Sequence, residues 1–149
     1  MPLAERRANV VWEGTLTEGK GEITSVGSGA FGNLPVTWAA RTERSDGKTS
    51  PEELIAAAQA SCYAMALSAV LGERGTPPES LNVSAVCAFD VVDGAPKVTT
   101  VDLSVRGKVP GLDEAGFQEA AQVGEQLCPV ANALRNNVDI RLTAALEAD

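Results

Sequence analysis

The stretch SPEELIAAAQASCYAMAL, residues 50–67, sets a cysteine inside an alanine-rich apolar run, and how this run folds decides the architecture. Ser50 or Thr49 offers a cap, Pro51 suits the first helical position, and Glu52 and Glu53 favour the positive end of a helix. The pattern predicts a helix from Pro51 to about Arg74, where Gly75 and Pro77–Pro78 stop it. Leu54, Ile55, Ala58, Cys62, Met65, Ala66, Ala69 and Val70 form a wide apolar face. The opposite side is mostly alanine, so the expectation is a helix buried nearly all round.

Upstream the period is that of strands. ANVVWEGTL (8–16) and GEITSV (21–26) are β-rich runs joined by TEGKG, a hairpin signal, and LPVTWAA (34–40) reads as a third strand after the loop GSGAFGN. Downstream, SLNVSAVCAFDVV (80–92) and KVTTVDLSVRGKV (97–109) read as two long strands turned by DGAP (93–96). A second helix is expected from Asp113 to about Leu127. Pro129 permits only a fresh helical start, so 129–135 is read as a short separate helix or a kinked continuation. VDIRLTAALE (138–147) closes the chain as a strand. The order βββ-α-ββ-α-α-β describes an α+β fold with a largely antiparallel sheet and two main helices. It is expected as a single domain over 1–149, with an N-terminal β-hairpin region at 8–40 and a helix/strand core at 50–147.

Composition narrows the function. Twelve basic against 20 acidic residues leave a net charge of −8, with no Lys/Arg cluster, which argues against nucleic acid as a partner. The N-terminus carries no secretory core, and no apolar run reads as long enough for a membrane span. The three cysteines, at 62, 87 and 128, are an odd number and a poor disulfide framework for a secreted domain. The expected setting is cytoplasmic, with reduced thiols.

Two apparent motifs dissolve on inspection. DGKTS (46–50) suggests a phosphate loop, but Thr42 stands where that loop needs its first glycine. NVS (82–84) fits a glycosylation acceptor yet lies inside a strand pattern. The chain contains no histidine, which excludes Cys/His and Ser/His/Asp catalysts and most zinc chemistry. Thiol redox chemistry remains, since it needs only a thiolate, a cation to hold it and a second thiol.

Among the thiols, Cys87 reads as core filler in mid-strand. Cys128 precedes Pro129 in an N-cap-like position, where the free amides of the next turn favour a thiolate. Cys62 lies about three turns into its helix, where apolar burial alone would leave the thiol inert unless a cation arrives from elsewhere. Arg41 and Arg44 are the nearest candidates in sequence. Local physics alone would choose Cys128 as the attacking thiol.

Taken together, SPEELIAAAQASCYAMALS and CPVANAL resemble the OsmC/Ohr family of thiol peroxidases. The hairpin VVWEG…GKGEI and VPGLDEAGFQEAA resemble its OsmC branch, and the likeness covers nearly the whole chain. The resemblance implies that Cys62 is the peroxide-attacking thiolate and Cys128 the resolving cysteine, the reverse of the local preference. It also implies that Glu52, in the PE motif, fixes an arginine that stabilises the Cys62 thiolate, with Arg41 the better match and Arg44 the alternative. Ala131 stands where serine is common in the second motif.

The implied chemistry is reduction of organic hydroperoxides, and less efficiently of hydrogen peroxide, through a Cys62 sulfenic acid and a Cys62–Cys128 disulfide. A dithiol of the lipoyl type would re-reduce it, in stress defence, with no metal or other cofactor. Phe31, Leu34 and Met65 would supply apolar surroundings. The family resemblance further implies an intertwined homodimer. Ten residues of continuous helix separate Glu52 from Cys62, roughly 15 Å of rise, so Glu52 is expected to serve the Cys62 of the other subunit. The competing readings are a non-catalytic stress or ligand-binding member of the same fold, and a disulfide oxidoreductase acting on proteins.

Overall fold

The computed structural model describes residues 1–148. Six strands and four helices alternate as β1 (Ala8–Glu13), β2 (Lys20–Val26), β3 (Gly32–Val36), α1 (Trp38–Thr42), α2 (Pro51–Glu73), β4 (Ser80–Val92), β5 (Ala95–Lys108), α3 (Glu114–Leu127), α4 (Pro129–Leu134) and β6 (Asp139–Leu146). The chain divides into two compact units, Met1–Leu54 and the remainder from Ile55, with the division inside α2. Instead of one sheet there are two of three strands each, ordered β1-β2-β3 and β4-β5-β6.

In the first unit, β2 pairs antiparallel with both β1 and β3. The third strand stops at Val36 rather than continuing to residue 40. Thr37 leaves the strand in an extended conformation and caps a short helix, its hydroxyl accepting from the Ala40 amide at 3.0 Å. A threonine cap followed by two alanines gives Trp38–Thr42 a helical alternative that strand propensity at Trp38 does not outweigh. Arg41 therefore stands on a helix.

The start of α2 is built as its sequence suggests. The Ser50 hydroxyl accepts from the Glu53 amide at 3.1 Å, while Thr49 donates to the Glu53 carboxylate at 2.9 Å. Ser50 is thus the cap and Thr49 its support. At the other end Gly75, at φ +80°, donates to Gly72 O at 3.0 Å and Thr76 donates to Leu71 O at 2.9 Å. That pair of bonds is the Schellman closure, whose left-handed residue glycine adopts without a Cβ clash.

One face of α2 is buried, and it differs from the expected one. Gln59, Tyr63, Leu67, Val70 and Leu71 point inward, whereas Ala58, Met65 and Ala69 are exposed, Met65 at 70%. Alanine hides this in the sequence, because it gives both sides of the helix a similar apolar character. By length and composition α2 is also apolar enough to cross a membrane, contrary to the expectation that no such run existed. Its inward face nonetheless joins a well-packed core in the second unit with Leu103 and Val105 of β5, Phe117, Ala120 and Ala121 of α3, and Ala131 of α4. At Gly124 the two helices come so close that a Cβ would lie 3.2 Å from the Leu67 Cα, so α3 needs the bare backbone there.

The second sheet carries long pairings. β4 and β5 run antiparallel around a two-residue turn at Asp93–Gly94, both at positive φ, so the strands reach further into DGAP than expected. The closing strand β6 lies parallel to β5, with Val101 opposite Ile140 and Leu103 opposite Leu142. A parallel partner requires a crossover, which α3 and α4 supply.

Candidate active site

Two constellations stand out, one in each unit. In the first unit Arg41, on α1, meets Glu52, the second residue of α2. Arg41 Nε lies 3.1 Å from both carboxylate oxygens of Glu52, and Nη2 lies 2.7 Å from Oε1. This is a forked, charge-assisted pair, the geometry that guanidinium offers and ammonium does not. Glu52 is 7% exposed, and the amides at the start of α2 favour its negative charge. The Arg41 guanidinium also sits 5.8 Å over the Trp38 ring, close enough for a cation–π contact. Arg44 is elsewhere: it faces Asp46 at 3.3 Å with its side chain 86% exposed.

In the second unit, Cys62 on α2 and Cys128 between α3 and α4 come within hydrogen-bonding reach of each other, although 66 residues separate them in the chain. Neither is in a disulfide. Cys62 is half-buried, and Cys128 is fully buried. Cys128 ends α3 and precedes Pro129 at the first position of α4, as expected; its thiol lacks the geometry of a full capping bond, although the Val130 and Ala131 N–H groups of α4 approach it.

The local preference for a Cys128 thiolate does not survive folding. Burial pushes the Cys128 thiol up from its ordinary value, and the adjoining Cys62 side chain pushes the same way. The backbone N–H groups of Ala131 and Val130 pull it down, and they lose. The helix terminus is present, but burial outweighs it.

Three residues around Cys128 were not singled out from the sequence. Gln59, also fully buried, donates its Nε2 to the Cys128 sulfur at 3.6 Å. The Tyr63 hydroxyl donates to Ala121 O at 2.9 Å, and its ionisation is pushed up by burial first, then by the charges of Glu125 and Cys128. Glu125 Oε1 faces Arg135 Nη1 at 2.8 Å, an ion pair without the alignment of a hydrogen bond. A polar residue in a run of alanines, three positions before Cys62, was the available signal for Gln59.

The remaining expectations map simply. Cys87 lies half-buried on β4 opposite Val101. Phe31 and Met65 are exposed and Leu34 is half-buried. Among the described residues, no three His, Cys, Asp or Glu side chains gather as a metal site would need.

Known proteins share this chain's pattern. The family described as OsmC-like protein matches residues 44–143. The chain is 36% identical over 135 residues to peroxiredoxin OsmC of Escherichia coli, covering 91% of this chain and 93% of the relative. It is 32% identical over 98 residues to the organic hydroperoxide resistance protein of Xanthomonas axonopodis pv. citri, covering 65% and 67%. Among solved structures, OhrB of Bacillus subtilis superimposes with a TM-score of 0.72 at 25% identity, over 93% of this chain and 97% of that one. A Legionella pneumophila OsmC protein gives a TM-score of 0.74 at 22% identity, over 97% and 99%, a likeness of fold. On the match across residues 44–143 and the near full-length identity to its relatives, the chain belongs to the family of OsmC-like proteins.

Proposed function

We propose that this protein is a cysteine-based peroxidase that reduces organic hydroperoxides and draws its electrons from a dithiol. The observation that carries the reading is the Cys62–Cys128 pair, two thiols brought together across 66 residues with one half-buried and the other sealed in the core. The names of the relatives, peroxiredoxin and organic hydroperoxide resistance protein, support the same class of reaction.

In this reading the Cys62 thiolate attacks the peroxide O–O bond. The sulfur takes one oxygen as sulfenic acid, and the other leaves with a proton as alcohol, or as water from hydrogen peroxide. The Cys128 thiol then attacks the Cys62 sulfur, the S–O bond breaks, and the oxygen departs as water to leave a disulfide. A dithiol reduces that disulfide through a mixed intermediate and becomes oxidised itself. Arg41 stabilises the Cys62 thiolate, and Glu52 holds the guanidinium in place. The burial that pushes the Cys128 thiol up suits a thiol that must wait for the first step. Apolar surroundings favour organic peroxides over hydrogen peroxide.

The reading includes a homodimer in which Arg41 and Glu52 of one chain serve Cys62 of the other. Exposed small residues on α2, among them Ala57, Ala58, Ser61 and Ala69, leave a face for close packing. Val10, Val11, Trp12 and Phe31 likewise stand exposed on the first unit. A peroxide-consumption assay with dihydrolipoamide tests the whole reading. Faster turnover of cumene hydroperoxide than of hydrogen peroxide is expected, with matched glutathione a poorer reductant. No consumption of either peroxide by folded protein would transfer the fold to a non-catalytic role.

A further inference from the structure

The second unit contains a polar group that its packing does not need. Gln59 is fully buried on α2, on an inward face otherwise formed by Tyr63, Leu67, Val70 and Leu71. Its Nε2 reaches the Cys128 sulfur at 3.6 Å, and its Oε1 is buried with no hydrogen-bond partner among the described residues. A buried carboxamide with an unanswered oxygen is costly, and methionine or leucine would fill similar space without that penalty. Of the two amide ends, the donor is the one placed on sulfur. A neutral thiol is a weak acceptor and draws little from an N–H, whereas a thiolate accepts strongly.

We propose that Gln59 is a positioning residue for the disulfide-forming step, its amide holding the Cys128 sulfur and lending an N–H to the negative charge that develops there as the thiol becomes a nucleophile. This rests on the reading of Cys128 as the resolving thiol. In that step the Cys128 sulfur loses its proton and bonds to the Cys62 sulfur, while the sulfenic oxygen leaves as water. No oxidant beyond the peroxide already consumed is required. The titratable side chains next to Cys128 are Cys62 and Tyr63 from α2; Glu125 of α3 acts on Tyr63 and is paired by Arg135 at the end of α4. Tyr63 spends its proton on Ala121 O, and Glu125 carries the wrong sign to help a thiolate. Gln59 is therefore the side-chain donor placed for the task.

The test measures the two chemical steps separately in single turnover with cumene hydroperoxide. Gln59→Met keeps the volume and removes the donor. Peroxide consumption by Cys62 should keep its rate, while conversion of sulfenic acid to disulfide slows at neutral pH and the dimedone-trappable species persists. A hydrogen bond to a charged sulfur is worth roughly one factor of ten or more in ionisation, and the more basic thiolate recovers part of that as nucleophilicity, so the net slowing should be about threefold to tenfold. The deficit should close as pH rises, because both proteins then carry the thiolate. A rate and pH midpoint equal to those of the parent, or equal slowing of the first step in folded protein, would overturn the proposal.

A second measurement does not depend on peroxidase activity. In a background of Cys62→Ser and Cys87→Ser, the ultraviolet absorbance of the Cys128 thiolate should titrate about one pH unit higher with Gln59→Met. Gln59→Glu should move it further in the same direction, and it serves if the methionine variant folds poorly. An unmoved titration would overturn the amide's role. A moved titration in a protein that consumes no peroxide would instead keep the contact and sink the peroxidase reading.

Discussion

The two units organise their chemistry differently. In the first, Arg41 and Glu52 lie 11 residues apart, and two adjacent local structures, a Thr37-capped helix and the first turn of α2, bring them face to face. In the second, Cys62 and Cys128 meet only because α2 packs against α3 and the chain breaks at Pro129. The cores differ in the same sense. Among the described residues Ile23 is the one buried hydrophobic of the first unit, whereas the second buries Tyr63, Leu67, Leu71, Leu103, Phe117 and others. A pair assembled locally persists through modest losses of core packing, while a pair assembled by packing depends on that core.

The largest expected effect falls on the thiols. Cys62→Ser should abolish peroxide consumption, whereas Cys128→Ser should react once and leave a sulfenic acid that dimedone traps. If the first step failed in Cys128→Ser and survived in Cys62→Ser, the order that the family resemblance implies would be reversed.

Packing comes next. Phe117→Ala should destabilise the protein by about 3–5 kcal/mol in urea or thermal unfolding, because the ring is fully buried against the β5 backbone at Gly107. Trp12→Ala, on the exposed strand β1, should cost clearly less in the isolated chain. Equal losses would erase the contrast between the cores.

The forked pair should show an intermediate effect on turnover. Arg41→Met and Glu52→Gln should each lower it by roughly ten- to a hundredfold, the scale of one charge-assisted contact, and Arg41→Met should also lose stability because it leaves the buried Glu52 carboxylate unpaired. Arg44→Ala should stay within about twofold of the parent, since an exposed ion pair contributes little. Mixing Glu52→Gln chains with Cys62→Ser chains provides the sharper test. Recovery of activity in the mixed dimer would show service in trans, and its absence despite confirmed mixing would place the pair in cis.

A smaller effect concerns alkaline stability. The Cys128 thiol and the Tyr63 phenol are both held above their ordinary ionisation in the fold, so at high pH the unfolded chain releases protons that the folded chain keeps. Their contribution is therefore complete at neutral pH. It declines once pH passes roughly 8.5 for Cys128 and 10 for Tyr63, their unfolded values. Tyr63→Phe and Cys128→Ala should each flatten that decline in urea midpoints measured against pH. An unchanged slope would show that neither burial survives in solution. Smallest of all, Cys87→Ser should leave turnover nearly intact.

Much of the site could be read without coordinates, and the residues show why. Glu52 sits in a cap signature, and Ser50–Pro51 announce the helix that carries it, because capping depends on neighbours a few positions away. The break at Cys128–Pro129 is equally local, since proline lacks the donor a continuous helix needs. The limits appear at Trp38, where a strand-favouring residue was drawn into α1 by the cap before it. They appear again on α2, where alanine gave no indication of which face turns inward.

By itself the sequence determined the order of the elements apart from α1, the cap and break points around α2 and Pro129, the absence of histidine chemistry and the motifs that tie the chain to OsmC-like proteins, all matters of composition and short-range backbone preference. Only the tertiary structure decided that Arg41 rather than Arg44 pairs with Glu52, that Gln59 touches Cys128, and that burial pushes the Cys128 thiol up despite its helix-terminal position. Those outcomes depend on desolvation and on contacts between residues distant in the chain. Their energies arise only when water has been excluded and the partners have met, and no short window of sequence contains them.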